Sequence, residues 1–280
     1  MDDLDALHAE SASEASPATD EPLEGLSLED VRLEMWLRAA AIPLALGFAY
    51  IVMFSDMLQM LGRIFIGMWV HELGHATAAW LCGFWAFPGP WFTTVGEQRS
   101  LLFALLVTTV IVAIGFYGYI ERRRALIALA AGLLFLQLVA TLGTNEKTAN
   151  MLITFFGDGG ALVLGTLLML TVYAPPGSKL HSGWLRWGFL FIGAVAFADV
   201  LHTWLPTRTN FGAIPFGRFE HGGLSDASVL VQVHGWDVRD LISRHIRLAF
   251  ICGLCLSAAY VAGLLQARSA VRKLQALRGT

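Results

Sequence analysis

Two histidines one helical turn apart, with a glutamate beside the first, can do hydrolytic chemistry when a metal ion sits between them. The chain carries this arrangement at His71-Glu72-Leu73-Gly74-His75, inside an apolar run from Met57 to about Phe84. Positions i and i+4 of a helix share a face, so both imidazoles can reach one ion. Glu72 then lies where a general base for a metal-polarised water belongs. A carboxylate and two imidazoles within an apolar span are costly unless something binds or pairs them. That cost favours a metal site over a polar contact between two helices.

A catalytic zinc ion usually takes three protein ligands and keeps a fourth position open. The motif supplies His71 and His75. The acids well inside apolar runs are Glu72, Asp158 and Asp199. Asp158 lies in Phe156-Gly157-Asp158-Gly159-Gly160, where three glycines weaken a helix and let a carboxylate come close. It also falls at about the same depth as His75, counted from the same side, which makes it the expected third ligand. Asp199 and His202 are the alternative, at i and i+3 on one helix face. As a pair they also read as a hydrogen-bonded contact that stabilises the bundle. His221 and His234 lie in a polar connection and read as solvated. Cys252-x-x-Cys255 lies in an apolar run without βαβ context and reads as small packing residues.

The elements that must hold these residues are membrane helices. The chain has 280 residues, 56% of them hydrophobic, and a mean hydropathy of +0.60. Its apolar runs are long enough to span a bilayer, at about 20 residues each. The spacing predicts an all-α polytopic membrane protein of about seven (six to seven) transmembrane helices, at 36–54, 57–85, 101–120, 125–142, 150–173, 184–205 and 246–265. Residues 86–100, rich in Pro, Gly and aromatics, predict a short extended or hairpin segment after the motif helix, with interfacial aromatic anchoring as the other reading. The connection at 206–245 predicts an extramembrane loop or lid in which Ser228–His234 looks strand-like. Residues 1–34 hold eleven acids against Arg32, which leaves +7 for the rest of a chain whose net charge is −3. They read as a disordered, dispensable acidic tail. The bundle then covers 35–267, its motif core lies at about 57–173, and 268–280 is a basic C-terminal tail. The distribution of Lys and Arg over the short connections favours a cytoplasmic C-terminus. No basic-aromatic patch for nucleic acid is present, and no nucleic-acid partner is expected.

His71-Glu72-Leu73-Gly74-His75 on an apolar helix, followed by Asp158-Gly159 on another, resembles the site-2 protease family of intramembrane zinc metalloproteases. The family's second motif runs N-x-x-P-x-P-x-L-D-G, and Asn150 stands eight residues before Asp158, as it does there. Ile153 and Phe155 replace the two prolines and Gly157 replaces the leucine, and two apolar runs separate the motifs where the family has one helix. The resemblance covers roughly residues 57–173 and implies a divergent member. It further implies zinc held by His71, His75 and Asp158, a water activated by Glu72, and Asn150 positioning the substrate backbone or steadying the transition state.

The expectation is therefore a multi-pass protein of a bacterial plasma membrane that hydrolyses a peptide bond in or near the transmembrane helix of a membrane-protein substrate. Such a helix must unwind locally before it can be cut, because its carbonyls are hydrogen-bonded within itself. The alternatives are a zinc hydrolase of a lipid-linked or other small amide, and a transporter of a divalent cation.

Overall fold

The computed structural model describes residues 27–174, 178–181, 183–218 and 223–277. The chain is mostly helical. Helix α1 (Leu28–Val52) starts at Ser27, whose hydroxyl accepts from the Asp30 amide while the Asp30 carboxylate reaches back to the Ser27 amide. This reciprocal cap is a strong start signal, and it places the helix boundary inside the stretch read from composition as tail. Residues 28–34 are helical, and 1–26 lie outside the described residues.

The motif stretch is built of three consecutive segments: α2 (Asp56–Gly62), a π-helical turn (Arg63–Gly67) and α3 (Met68–Leu81). An antiparallel hairpin follows, β1 (Phe84–Pro88) with β2 (Thr93–Arg99), Phe87 opposite Thr94 and Pro88 opposite Thr93. The extended segment expected after the motif helix is thus a two-stranded ribbon. Arg99 at its end donates to the carbonyls of Thr141 (2.9 Å) and Thr144 (2.6 Å). These are orphan acceptors at the close of a helix, so one guanidinium ties the hairpin to the end of α5.

Helices α4 (Leu101–Ile120) and α5 (Arg124–Leu142) pair with each other, and buried Gln137 of α5 donates to the Ala104 carbonyl of α4. Helices α6 (Glu146–Phe155) and α7 (Asp158–Leu170) are two halves of one stretch, bent by 59° at Phe156 and Gly157. The expected single span at 150–173 is broken there, where the glycines do not hold a helix straight. Helix α8 (Leu185–Trp204) packs along α7; α9 (Asp226–Gln232) is short; α10 (Val238–Leu277) runs 40 residues.

Among the described residues, five helices are long and apolar enough to cross a membrane, or six if the bent α6–α7 pair counts as one. They fall within 29–52, 101–120, 124–142, 185–208 and 238–276. Two further expectations are corrected. Ser228–His234 is not a strand: its valines lie on α9 and the turn after it, because Ser225 caps a helix at the Ser228 amide and no strand among the described residues lies alongside to pair with. Residues 268–277 are not a tail but the continuation of α10.

The main core joins α1, α7, α8, α9 and α10 around residues such as Leu162, Val195, Leu230 and Leu241. A second cluster, with Ala76, Ala79, Cys82, Phe84, Ala149 and Ile153, glues α3 to the hairpin and α6. Between these cores α3 lies directly on the start of α7. A Cβ on Gly160 would stand 2.4 Å from Gly74 Cα, and one on Gly74 would meet the Phe156 carbonyl. Backbone touches backbone here, and only glycine on both sides permits it.

A candidate metal centre

Helix α3 presents His71 and His75 one turn apart, with their Nε2 atoms 3.1 Å from each other. The other nitrogen of each ring is spoken for. His75 Nδ1 donates to the Ile153 carbonyl at 2.6 Å, and His71 Nδ1 donates to Asp158 Oδ1 at 3.0 Å. A carbonyl and a carboxylate only accept, so the proton of each neutral imidazole sits on Nδ1. Both Nε2 lone pairs therefore point at one another.

Asp226 completes the cluster. Its Oδ2 lies 3.1 Å from His71 Nε2 and 3.1 Å from His75 Nε2. Three acceptor atoms thus form a nearly equilateral triangle, an arrangement that repels itself unless a cation or protons fill it. A tetrahedral ion with bonds of about 2.0 Å holds its ligands about 3.3 Å apart, which the triangle matches closely. Two imidazoles and one carboxylate are a donor set that zinc accepts. Gly157 keeps the space over the histidines open: a Cβ there would stand 2.6 Å from both Nε2 atoms. The residues therefore fit a divalent ion.

Asp226 is the first residue of α9. Ser225 caps that helix and also donates to the Pro215 carbonyl at 2.8 Å, while the Gly217 amide donates to Ser228 Oγ at 3.1 Å. These bonds pin the loop against the start of α9. Trp236, just beyond α9, points its indole N–H at Met151 Sδ on α6, which anchors the other end.

The structure brings the sequence-predicted residues together in part. Asp158 stands on the Nδ1 edge of His71, not the Nε2 edge, because it opens α7 just past the bend and approaches the ring from behind. Its Oδ2 accepts from the Trp204 indole at 2.8 Å. It therefore orients His71, as carboxylates behind metal-binding histidines do. Asp199 and His202 lie outside the triangle. Asp199 faces Arg63 at 3.6 Å and His202 meets Gln59 at 2.9 Å, since their face of α8 is turned to α2 and the π-helical turn. Asn150 is exposed on α6, and Thr154, one turn later, is the residue of that helix that lines the centre. Among the other histidines, His221 lies outside the described residues, and His234 is partly buried with Nδ1 lacking a hydrogen-bond partner.

Sequence reasoning missed Asp226 because the search for a third ligand covered only acids inside apolar runs. A usable signal was present: Ser225-Asp226-Ala227-Ser228 before Val-Leu-Val is a helix start with its acid in the first turn.

Glu72 is buried next to His71, and its Oε2 accepts from the Thr93 hydroxyl of β2 at 2.7 Å. A pocket of about 200 Å³ opens between these groups, lined by His71, Glu72, His75, Asp226, Thr154 and the hairpin turn from Trp91 to Val95. Glu72, the triangle of acceptors and the hairpin turn thus line one space. No family model, no curated protein and no solved structure matches this chain.

Proposed function

We propose that this protein is a membrane-embedded zinc metalloprotease, a divergent relative of the site-2 proteases, that cuts a peptide bond in or near a substrate's transmembrane helix. The observation that carries the reading is the triangle of acceptors from His71, His75 and Asp226, with Glu72 in the same pocket. His71, His75 and Asp226 would hold the ion. When bound, zinc would acidify a water and polarise the scissile carbonyl.

The chain's own residues supply the rest. Glu72 accepts a proton from the attacking water and delivers it to the leaving amine. The Thr93 hydroxyl keeps that carboxylate turned toward the pocket. Asp158 and the Ile153 carbonyl fix the two imidazole rings in the tautomer that presents Nε2. The pocket is too small for a helix but has room for an extended backbone, which agrees with a substrate that unwinds before it is cut. The hairpin edge at Trp91–Val95 offers unpaired backbone along which such a segment can lie.

The test gives the purified protein, in a bilayer with added zinc, three kinds of substrate. These are single-span reporters with and without a central Gly-Pro pair, an unfolded soluble peptide, and a lipid-linked amide. Glu72-dependent cleavage that is fastest for the broken helix supports the proposal. Turnover of the lipid amide alone would replace it with the small-amide hydrolase, and zinc flux without hydrolysis would replace it with the transporter.

A further inference from the structure

We infer that a second site, separate from the metal centre, binds the phosphate headgroup of an anionic phospholipid. It is a pocket of about 420 Å³ where the chain leaves α8 and re-enters at α10. Arg208, Arg239 and Arg247 surround it, Phe211, Ile242 and Ile246 form its apolar wall, and Ser243 also lines it. On α10 the residues 239, 242, 243, 246 and 247 recur at helical spacing, so they form one stripe.

The three arginines of this pocket are exposed and carry their charge unpaired, as do Arg122, Arg123 and Arg124 at the α4–α5 turn; here they border one pocket. Arg38 and Arg186 meet Glu34, Arg63 faces Asp199, and Arg99 binds carbonyls. Among the described residues, the guanidinium groups of Arg208, Arg239 and Arg247 have no hydrogen bond and no carboxylate within 4.0 Å. The nearest acids in sequence make no ion pair with them: the Asp237 carboxylate caps the Arg239 amide, and Asp240, seven residues before Arg247 on the same face of α10, is exposed with no arginine nitrogen within 4.0 Å of its carboxylate. Three exposed cations bordering one pocket give it a positive field that favours an anion. Guanidinium groups match phosphate oxygens in pairs, and the Ser243 hydroxyl adds a further donor.

The location selects the source of that anion. The two apolar stretches at this place run over Leu185–Arg208 and Val238–Ala276, so the pocket sits where one ends and the other begins. That is the depth of lipid headgroups if these helices cross a bilayer, and basic pockets between spans are suited to them. The wall of Phe211, Ile242 and Ile246 would lie against the glycerol and upper acyl chain, which a free phosphate lacks. The inference rests on the membrane character of the chain and is independent of any protease activity.

The experiment uses the full chain in mild detergent, with native mass spectrometry to count bound lipids. Phosphatidylglycerol, phosphatidylcholine and inorganic phosphate are titrated separately. Wild type is expected to prefer phosphatidylglycerol over phosphatidylcholine by about tenfold. The variant Arg208→Gln/Arg239→Gln/Arg247→Gln should bring that preference to within about twofold, whereas Arg122→Gln/Arg123→Gln, at the distant α4–α5 turn, should keep it. Should the triple variant fail to fold, Arg208→Gln and Arg247→Gln alone should each weaken the preference. No preference in wild type, or full preference in a folded triple variant, would overturn the site. Inorganic phosphate that displaces phosphatidylglycerol at equal concentration would overturn its assignment to lipid.

Discussion

Asp158 and Asp226 approach His71 from opposite edges of its ring, Asp158 at 3.0 Å from Nδ1 and Asp226 at 3.1 Å from Nε2. Only the second is placed to share an ion with His75. Removing a ligand and removing its orienting partner should therefore differ. Asp226→Ala should lose zinc beyond detection, as should His71→Ala, while Asp158→Asn should weaken zinc by about 10–100-fold and still load at saturating metal. Elemental analysis and competition with a chelator dye measure both. Equal loss in the two aspartate variants would mean that both are ligands.

Glu72 and Thr93 are linked by a 2.7 Å hydrogen bond that crosses from the motif helix to the hairpin. Glu72→Gln keeps the size and hydrogen bonding of the side chain but cannot take a proton, so hydrolysis should vanish with zinc content unchanged. Thr93→Val removes the hydroxyl that meets both the Glu72 carboxylate at 2.7 Å and the Glu72 carbonyl at 2.8 Å, and so frees the carboxylate to turn. Its turnover should fall about tenfold, with metal affinity intact. Single-turnover cleavage of the reporter with zinc measured in the same sample checks both. A Glu72→Gln enzyme that still turns over would remove Glu72 as the base.

The placement of His71, Glu72 and His75 was legible in the sequence because they are local: one helix fixes their geometry. The apolar character was equally legible, since it depends on composition over runs of 20 residues. The approach of Asp226 was not, because it reaches the histidines only after the chain has crossed from α8 through a long connection and returned in α9. Its neighbours Val229, Val231 and Val233 also carry β-propensity, which a capped helix start overrode. The bend at Gly157 was half legible: the glycines announced a break, but not that Asp158 would end behind His71.

Gly157 and Gly160 mark two different demands on one turn. A methyl at Gly157 would stand 2.6 Å from both Nε2 atoms, in the space an ion needs. Gly157→Ala should abolish zinc binding with a smaller effect on thermal unfolding of the metal-free protein. A methyl at Gly160 would meet Gly74 backbone at 2.4 Å, and backbone cannot swing aside as a side chain can. Gly160→Ala should cost about 1–3 kcal/mol or more and lower the unfolding temperature whether or not metal is present. Melting curves with and without zinc separate the two. A Gly160→Ala protein as stable as wild type would mean that α3 and α7 are not in direct contact.

Glu34 sets the limit to which the N-terminus can be cut. Its carboxylate accepts from both terminal nitrogens of Arg186 at 2.8 and 3.1 Å and from Arg38 Nε at 2.9 Å, bridging α1 to the start of α8. Arg186 and Arg38 are buried, so loss of Glu34 strands two cations. Breaking a fully buried pair costs about 3–5 kcal/mol; the partial exposure of Glu34 reduces this to roughly 2 kcal/mol. Deletion of 1–26 removes acidic, aromatic-poor sequence and should leave the melting temperature within about 2 °C. Deletion of 1–34 also removes the Ser27–Asp30 cap and Glu34, and should lower it clearly. Glu34→Gln in the full chain isolates the charge: the melting temperature should fall, though by less than in the longer deletion, because the amide still accepts one hydrogen bond. If both deletions melt together with wild type, the Glu34–Arg186 bridge contributes nothing, and the expectation of a dispensable tail through residue 34 stands.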